Sequence, residues 1–148
     1  MTINQQNPKI VLKLEYTGKP IKENYILNNE SILMLLSIMK ILKQAKNILG
    51  FEHNDIKASN ICEKCIYIDK EIYPSLYKKE KECIYSLIDF EYSTINDDAK
   101  NDIIEKDLGH IKILLTHYKL VDIIMNIKEK NDFIKYRELI ELLEKELI

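Results

Sequence analysis

Between Glu30 and Leu49 the apolar residues Ile32, Leu35, Leu36, Met39, Leu42 and Ala45 recur at steps of three and four, which places them on one face of an α-helix. Asn28, Asn29 or Ser31 can cap its start, and Gly50 supplies the residue on which such a helix stops. A long helix with one apolar face must bury that face against a second layer. The remaining elements must therefore supply that second layer.

The segment Lys9 to Tyr16 is rich in strand formers and ends at the turn signal Thr17-Gly18-Lys19-Pro20. After Gly50 comes a polar loop, Phe51-Glu52-His53-Asn54-Asp55-Ile56-Lys57-Ala58-Ser59-Asn60. Ile61 to Ile68 predicts a strand, Tyr73-Pro74-Ser75 and the charged run Lys78 to Glu82 a connector, and Cys83 to Phe90 a second strand returning beside the first. Asn96 to Asp102 is polar and turn-rich. Leu108, Ile111, Leu114, Leu115, Tyr118, Val121, Ile124 and Met125 mark a second helical region with a break near Tyr118. A third runs from about Lys135 to the end, with Leu139, Ile140, Leu143 and Leu147 on one face. The expected class is α+β, mainly helical, with a small β-hairpin, and there is no internal repeat or linker.

At 148 residues and 46% hydrophobic content, the chain has enough material for one core, and residues 1–148 are read as a single domain. A formal charge of −2, with 22 basic residues spread among 24 acidic ones, provides no field to attract nucleic acid directly. No apolar run approaches the roughly 18 to 20 residues that span a bilayer. Met1 to Lys9 is polar, without a signal-peptide core, so the expectation is an intracellular protein with no membrane partner. Cys62, Cys65 and Cys83 leave an odd thiol in any pairing scheme, which fits a reducing compartment and buried thiols.

The loop residues carry chemistry when taken with a later feature, the aspartate of Leu87-Ile88-Asp89-Phe90-Glu91, which ends an apolar run. Asp55 stands two residues after His53 and five before Asn60, so a loop leaving a helix can aim a carboxylate at a hydroxyl and an amide at a metal. In phosphoryl transfer an Asp accepts or orients the hydroxyl proton, and a nearby Lys stabilises the charge on the moving group. An Asn and a second Asp hold Mg2+. On that pattern Asp55 and Lys57 would take the first two roles, and Asn60 and Asp89 would be the metal ligands, with hard oxygens suited to Mg2+ beside phosphates.

These residues resemble the C-terminal lobe of eukaryotic protein kinases. Within that group, Leu12-Lys13-Leu14-Glu15-Tyr16-Thr17-Gly18 looks like the hinge strand of haspin-type serine/threonine kinases, and Phe51-Glu52-His53-Asn54-Asp55 looks like their Phe-Glu-His-Arg-Asp loop. Asp89-Phe90-Glu91 is similar to their Asp-Phe-Gly counterpart, in which the glycine is characteristically replaced. Asp107 is similar to the helix aspartate that braces the catalytic loop through its backbone. The resemblance covers roughly residues 9 to 125 and implies ATP and Mg2+ as cofactors, with Glu15 and Thr17 of the hinge strand, Asn60 and Asp89 contacting the nucleotide. It also implies a protein substrate, a histone if the likeness extends that far, and then a nuclear location; otherwise the expectation is cytoplasmic.

Several positions depart from that pattern. Asn54 stands where the family has arginine, and Ile56-Lys57-Ala58-Ser59 looks more like the Asp-x-Lys-x-x-Asn loop of other serine/threonine kinases, the vaccinia-related kinase group in particular. The sequence offers only Gly18, Gly50 and Gly109 and begins at the would-be hinge, so the N-terminal lobe with its Gly-rich loop is absent from it. That absence raises a second expectation, a non-catalytic kinase-like module that binds or inhibits a partner kinase. Phe51 to Asp55 and Leu87 to Ser93 also look like the His-Asn-Asp and Ile-Asp-Phe-Glu-Tyr-Ser motifs of choline and ethanolamine kinases, which leaves a small-alcohol substrate open.

Two other constellations are weaker. Cys62-x-x-Cys65 with Cys83 and His53 can be drawn as a zinc site, but a strand through 61 to 68 points Cys62 and Cys65 to opposite faces. His110 and His117 are seven apart in a helical pattern, with no carboxylate or thiol obviously joining them.

Overall fold

The computed structural model describes residues 18–67 and 81–147. Along the chain run β1 (Lys19–Pro20), α1 (Asn29–Leu49), β2 (Phe51–Glu52), β3 (Ile61–Tyr67), β4 (Lys81–Leu87), β5 (Thr94–Ile95), α2 (Leu108–His117), α3 (Val121–Glu129) and α4 (Tyr136–Glu144). The architecture is α+β, with four α-helices and two small antiparallel sheets among the described residues. No helix among them is long and apolar enough to cross a membrane.

Helix α1 has the ends its sequence predicts. The Asn28 side-chain oxygen accepts from the Ser31 N–H at 2.9 Å and the Ser31 hydroxyl accepts from the Asn28 N–H at 2.9 Å, satisfying two end donors reciprocally. At the far end Gly50 takes φ 64°, and its N–H donates to the Lys46 carbonyl at 2.9 Å. A Cβ at Gly50 would run into the Asn96 carbonyl, so conformation and close approach both demand glycine there.

Ile32, Leu35, Leu36, Met39 and Leu42 are buried as their spacing predicts, joined by Met34 and Ile38. They meet α4, whose Tyr136, Leu139 and Leu143 are fully buried, and a core completed by Ile111, Leu115, Ile123 and Ile127 from α2 and α3. Truncating one such fully buried leucine to alanine removes about 2–5 kcal/mol. The second helical region is split where its apolar pattern falters at Tyr118. Lys119 turns into the left-handed region at φ 58°, and the Leu120 N–H donates to the Leu115 carbonyl at 3.1 Å, closing α2 without a glycine.

Lys46, on the last turn of α1, is wholly buried. Its ammonium donates to the Ala99 carbonyl at 2.9 Å, to Asn101 Oδ1 at 3.1 Å and to Glu105 Oε1 at 2.6 Å. One lysine thereby ties the polar stretch after β5 to the end of α1, next to the loop at 51–60.

The three-stranded sheet has the order β1-β3-β4, with Ile61 opposite Leu87 and Cys65 opposite Cys83. The predicted hairpin is present, but β4 begins and ends earlier than the sequence suggests. Lys81 and Glu82, expected in the connector, belong to the strand, whereas Asp89 sits at φ 61°, which a ladder does not accommodate. Lys19 and Pro20, expected as a turn, form an edge strand against Cys62 and Glu63; an edge tolerates proline because its missing N–H faces no partner. The expectation of three buried thiols is also corrected. Cys65 and Cys83 form a disulfide, while Cys62 stays free and buried. The strand expected at Lys9–Tyr16 and the connector residues Tyr73-Pro74-Ser75 lie outside the described residues.

Candidate functional site

The loop between β2 and β3 is fixed at both ends by short strand pairings. Phe51 and Glu52 pair with Ile95 and Thr94, and at the other end the Ile88 N–H donates to the Asn60 carbonyl at 3.0 Å, one step beyond the β3·β4 ladder. Asp89 therefore leaves the hairpin immediately beyond the residue bonded to Asn60, with its side chain exposed.

Asp107 holds the loop from beneath. Its Oδ2 accepts from the His53 N–H at 2.9 Å and its Oδ1 from the Asn54 N–H at 2.7 Å, and the residue is fully buried. Although Asp107 occupies the N-cap position of α2, its carboxylate makes no capping bond to its own helix. The acceptor that would ordinarily serve the helix end is committed to the loop instead. These bonds follow the bracing contact expected of this aspartate.

His53 is also fully buried. Its Nδ1 accepts from the Asp55 N–H at 3.1 Å, which assigns the ring proton to Nε2, 2.8 Å from the Ile88 carbonyl that it then donates to. The imidazole is thus a strut between the residue before Asp89 and the backbone of Asp55. Phe90 stands edge-on to it, with ring centroids 5.6 Å apart. Asn54 adopts φ 66°, a conformation that asparagine tolerates better than most residues, and its amide donates to the Tyr92 carbonyl at 2.8 Å. The Ser93 hydroxyl donates to the His53 carbonyl at 3.2 Å, so the stretch after Asp89 closes over the same loop.

Within this frame Asp55, Lys57 and Asn60 come together. Asn60 Nδ2 donates to the Asp55 carbonyl at 2.8 Å and to Asp55 Oδ2 at 3.1 Å, which turns its amide oxygen away from Asp55. Lys57 Nζ lies 3.6 Å from Asp55 Oδ1, with the Asp55 side chain 17% exposed and that of Lys57 57% exposed. The carboxylate is presented from a held loop, while the ammonium can swing. Glu15 and Thr17 lie outside the described residues.

Glu52 joins this frame without any sequence signal that sets it apart. It is 4% exposed, and its Oε2 accepts from the Asp107 N–H at 3.2 Å, while Oε1 has no partner. Burial, and then the neighbouring Asp107 charge, push its carboxyl up to about 7. Protonated, Glu52 can donate from Oε1 to the Asp107 carboxylate, which removes the orphaned acceptor. A lone Glu in a polar loop reads as solvated, so the sequence carries no signal of its burial.

The described residues also include a cluster of Glu63, Cys65 and Cys83, whose donor atoms all lie within 4.8 Å of one another. Cys62 is on the other side of β3, and His53 is engaged at the opposite end of the hairpin, so neither joins it. No protein-family model, curated protein or solved structure matches the chain.

Proposed function

We propose that the chain is an ATP- and Mg2+-dependent phosphotransferase of the serine/threonine protein-kinase type, divergent and haspin-like, moving the γ-phosphoryl group to a protein hydroxyl. The observation that carries this reading is the double grip on one loop: Asp107 holds the His53 and Asn54 amides from below, and Asn60 holds Asp55 from the side. Phosphoryl transfer depends mainly on positioning and electrostatics, and a carboxylate held by the Asn60 amide on a braced loop suits that demand.

In this scheme the Asp55 carboxylate orients the acceptor hydroxyl and takes its proton. Lys57, mobile and adjacent, stabilises the negative charge on the transferring group. Asn60 through its amide oxygen and Asp89 through its exposed carboxylate are the hard oxygen donors that fit Mg2+. When bound, Mg2+ neutralises phosphate charge. Glu15 and Thr17 complete the nucleotide contacts, and the protein substrate, a histone on the haspin likeness, places the enzyme in the nucleus; other substrates favour the cytoplasm.

A second reading keeps the loop without the transfer, as a kinase-like module that engages a partner kinase. It is favoured by glycine usage: of Gly18, Gly50 and Gly109, the first lies against the Glu63 carbonyl and the second closes α1, so this sequence offers no Gly-rich phosphate loop. Labelled phosphate transfer from ATP, native chain against Asp55→Ala, separates the two. Loss of about 100-fold or more in the variant supports transfer. Equal background in both removes the enzyme reading, and ATP binding that is indifferent to Mg2+ in calorimetry removes the metal assignment.

A further inference from the structure

The hairpin carries a second constellation that the proposed phosphotransfer does not use. The Ile88 N–H to Asn60 carbonyl bond fixes the alternation along β3 and β4, so that 62/86 and 64/84 are hydrogen-bonded pairs while 63/85 and 65/83 are the narrow, unbonded ones. Cys65 and Cys83 form such a narrow pair, with Cα atoms 4.0 Å apart. Glu63, two residues before Cys65, projects on the same face. Tyr85 stands directly opposite on the same face, and burial followed by the Glu63 carboxylate raises its phenol. A hydroxyl so placed can serve as an outer partner of a carboxylate ligand.

We infer that, once the Cys65–Cys83 bond is reduced, the two thiolates and the Glu63 carboxylate form a site for a thiophilic divalent cation, Zn2+ by its chemistry. A two-electron reductant, a dithiol that leaves as its own disulfide, converts the bond to two thiols, and the cation displaces their two protons. Two sulfurs on one tetrahedral Zn2+ stand about 3.8 Å apart, a separation that a narrow cross-strand pair reaches by side-chain rotation. Three anionic ligands leave the site one negative charge in excess, and Lys19, opposite Glu63 in the β1·β3 register, supplies a counter-charge. Glu63 and Cys65 border a cavity of about 700 Å³ that Tyr85, Lys19 and Lys81 also help to line, which leaves room for a fourth, exchangeable ligand. An exchangeable ligand there marks a binding or reactive site rather than a closed structural one. The site and the disulfide exclude each other, so the hairpin reports redox state through metal occupancy.

The test uses the full chain, with Co2+ as the spectroscopic probe and Zn2+ as competitor. After reduction with a trialkylphosphine, which leaves as its oxide, the native chain takes up one Co2+ with thiolate-to-cobalt charge-transfer absorption that Zn2+ abolishes, and the oxidised chain takes up none. Cys83→Ser loses the absorption and Cys62→Ser retains it. Glu63→Gln and Tyr85→Phe each weaken affinity by about tenfold or more. Absence of thiolate absorption in the reduced native chain overturns the inference and needs no variant. Equal uptake by the oxidised chain, absorption that survives Cys83→Ser, or its loss in Cys62→Ser does the same.

Discussion

Replacing Glu52 by glutamine isolates the energetics of the carboxyl pair under the loop. In the folded chain Glu52 titrates at about 7 against an ordinary 4.5, chiefly because burial and then the adjacent Asp107 disfavour its charge. Between those two values the native state retains a proton that the unfolded state has released. Stability from this group is therefore full below about 4.5 and declines as pH rises toward 7. At about 1.36 kcal/mol per pH unit the decline amounts to at most about 3 kcal/mol. With Glu52 only 4% exposed, solvent does little to screen it. Glutamine has the same shape and can donate to the Asp107 carboxylate at every pH, so Glu52→Gln should match the native chain near pH 4.5 and exceed its stability at pH 8 by up to that amount. Urea unfolding of both proteins at the two pH values measures the difference and cancels groups common to them. A stability gap that stays constant across the range, or one that favours the native chain as pH rises, would refute the reasoning.

Two further substitutions probe the same frame. Asp107→Ala strips the acceptor from two loop amides, each worth about 1–3 kcal/mol if left buried and unpaired, and should lower the thermal midpoint sharply; a variant within about 0.5 kcal/mol of native would show that the brace is dispensable. Gly50→Ala forces a Cβ into a left-handed residue already packed on the Asn96 carbonyl, so a loss of more than about 1 kcal/mol in chemical denaturation is expected, and neutrality would mean that the close approach relaxes freely.

What was legible in the sequence is what repeats or punctuates. Helix α1 was readable because six apolar residues keep one period between an asparagine cap and a glycine stop. The β3·β4 pair was readable from two apolar runs flanking charge, although Asp89 ended the second run as a left-handed residue rather than as the last strand position. Two-residue strands such as β2 and β5 carry no period at all; they exist because the chain returns from Ser93 to cover the loop. The cysteine pairing was closed to inspection for a similar reason, since three cysteines give no connectivity and register alone brings residues 65 and 83 face to face. Within the candidate site, Asp55, Lys57 and Asn60 are neighbours in sequence and could be read as a group. Asp107 could be seen only through resemblance, and Glu52 not at all, because its burial is a property of the assembled core.

The amides of His53 and Asn54 are held by a side chain more than fifty residues downstream. Closing so long a stretch costs entropy, which the packing of α1 against α4 across an even longer one helps to offset. Two amides bonded to a buried carboxylate should exchange slowly with solvent, and rapid exchange of both in the native chain would show that the clasp opens on its own.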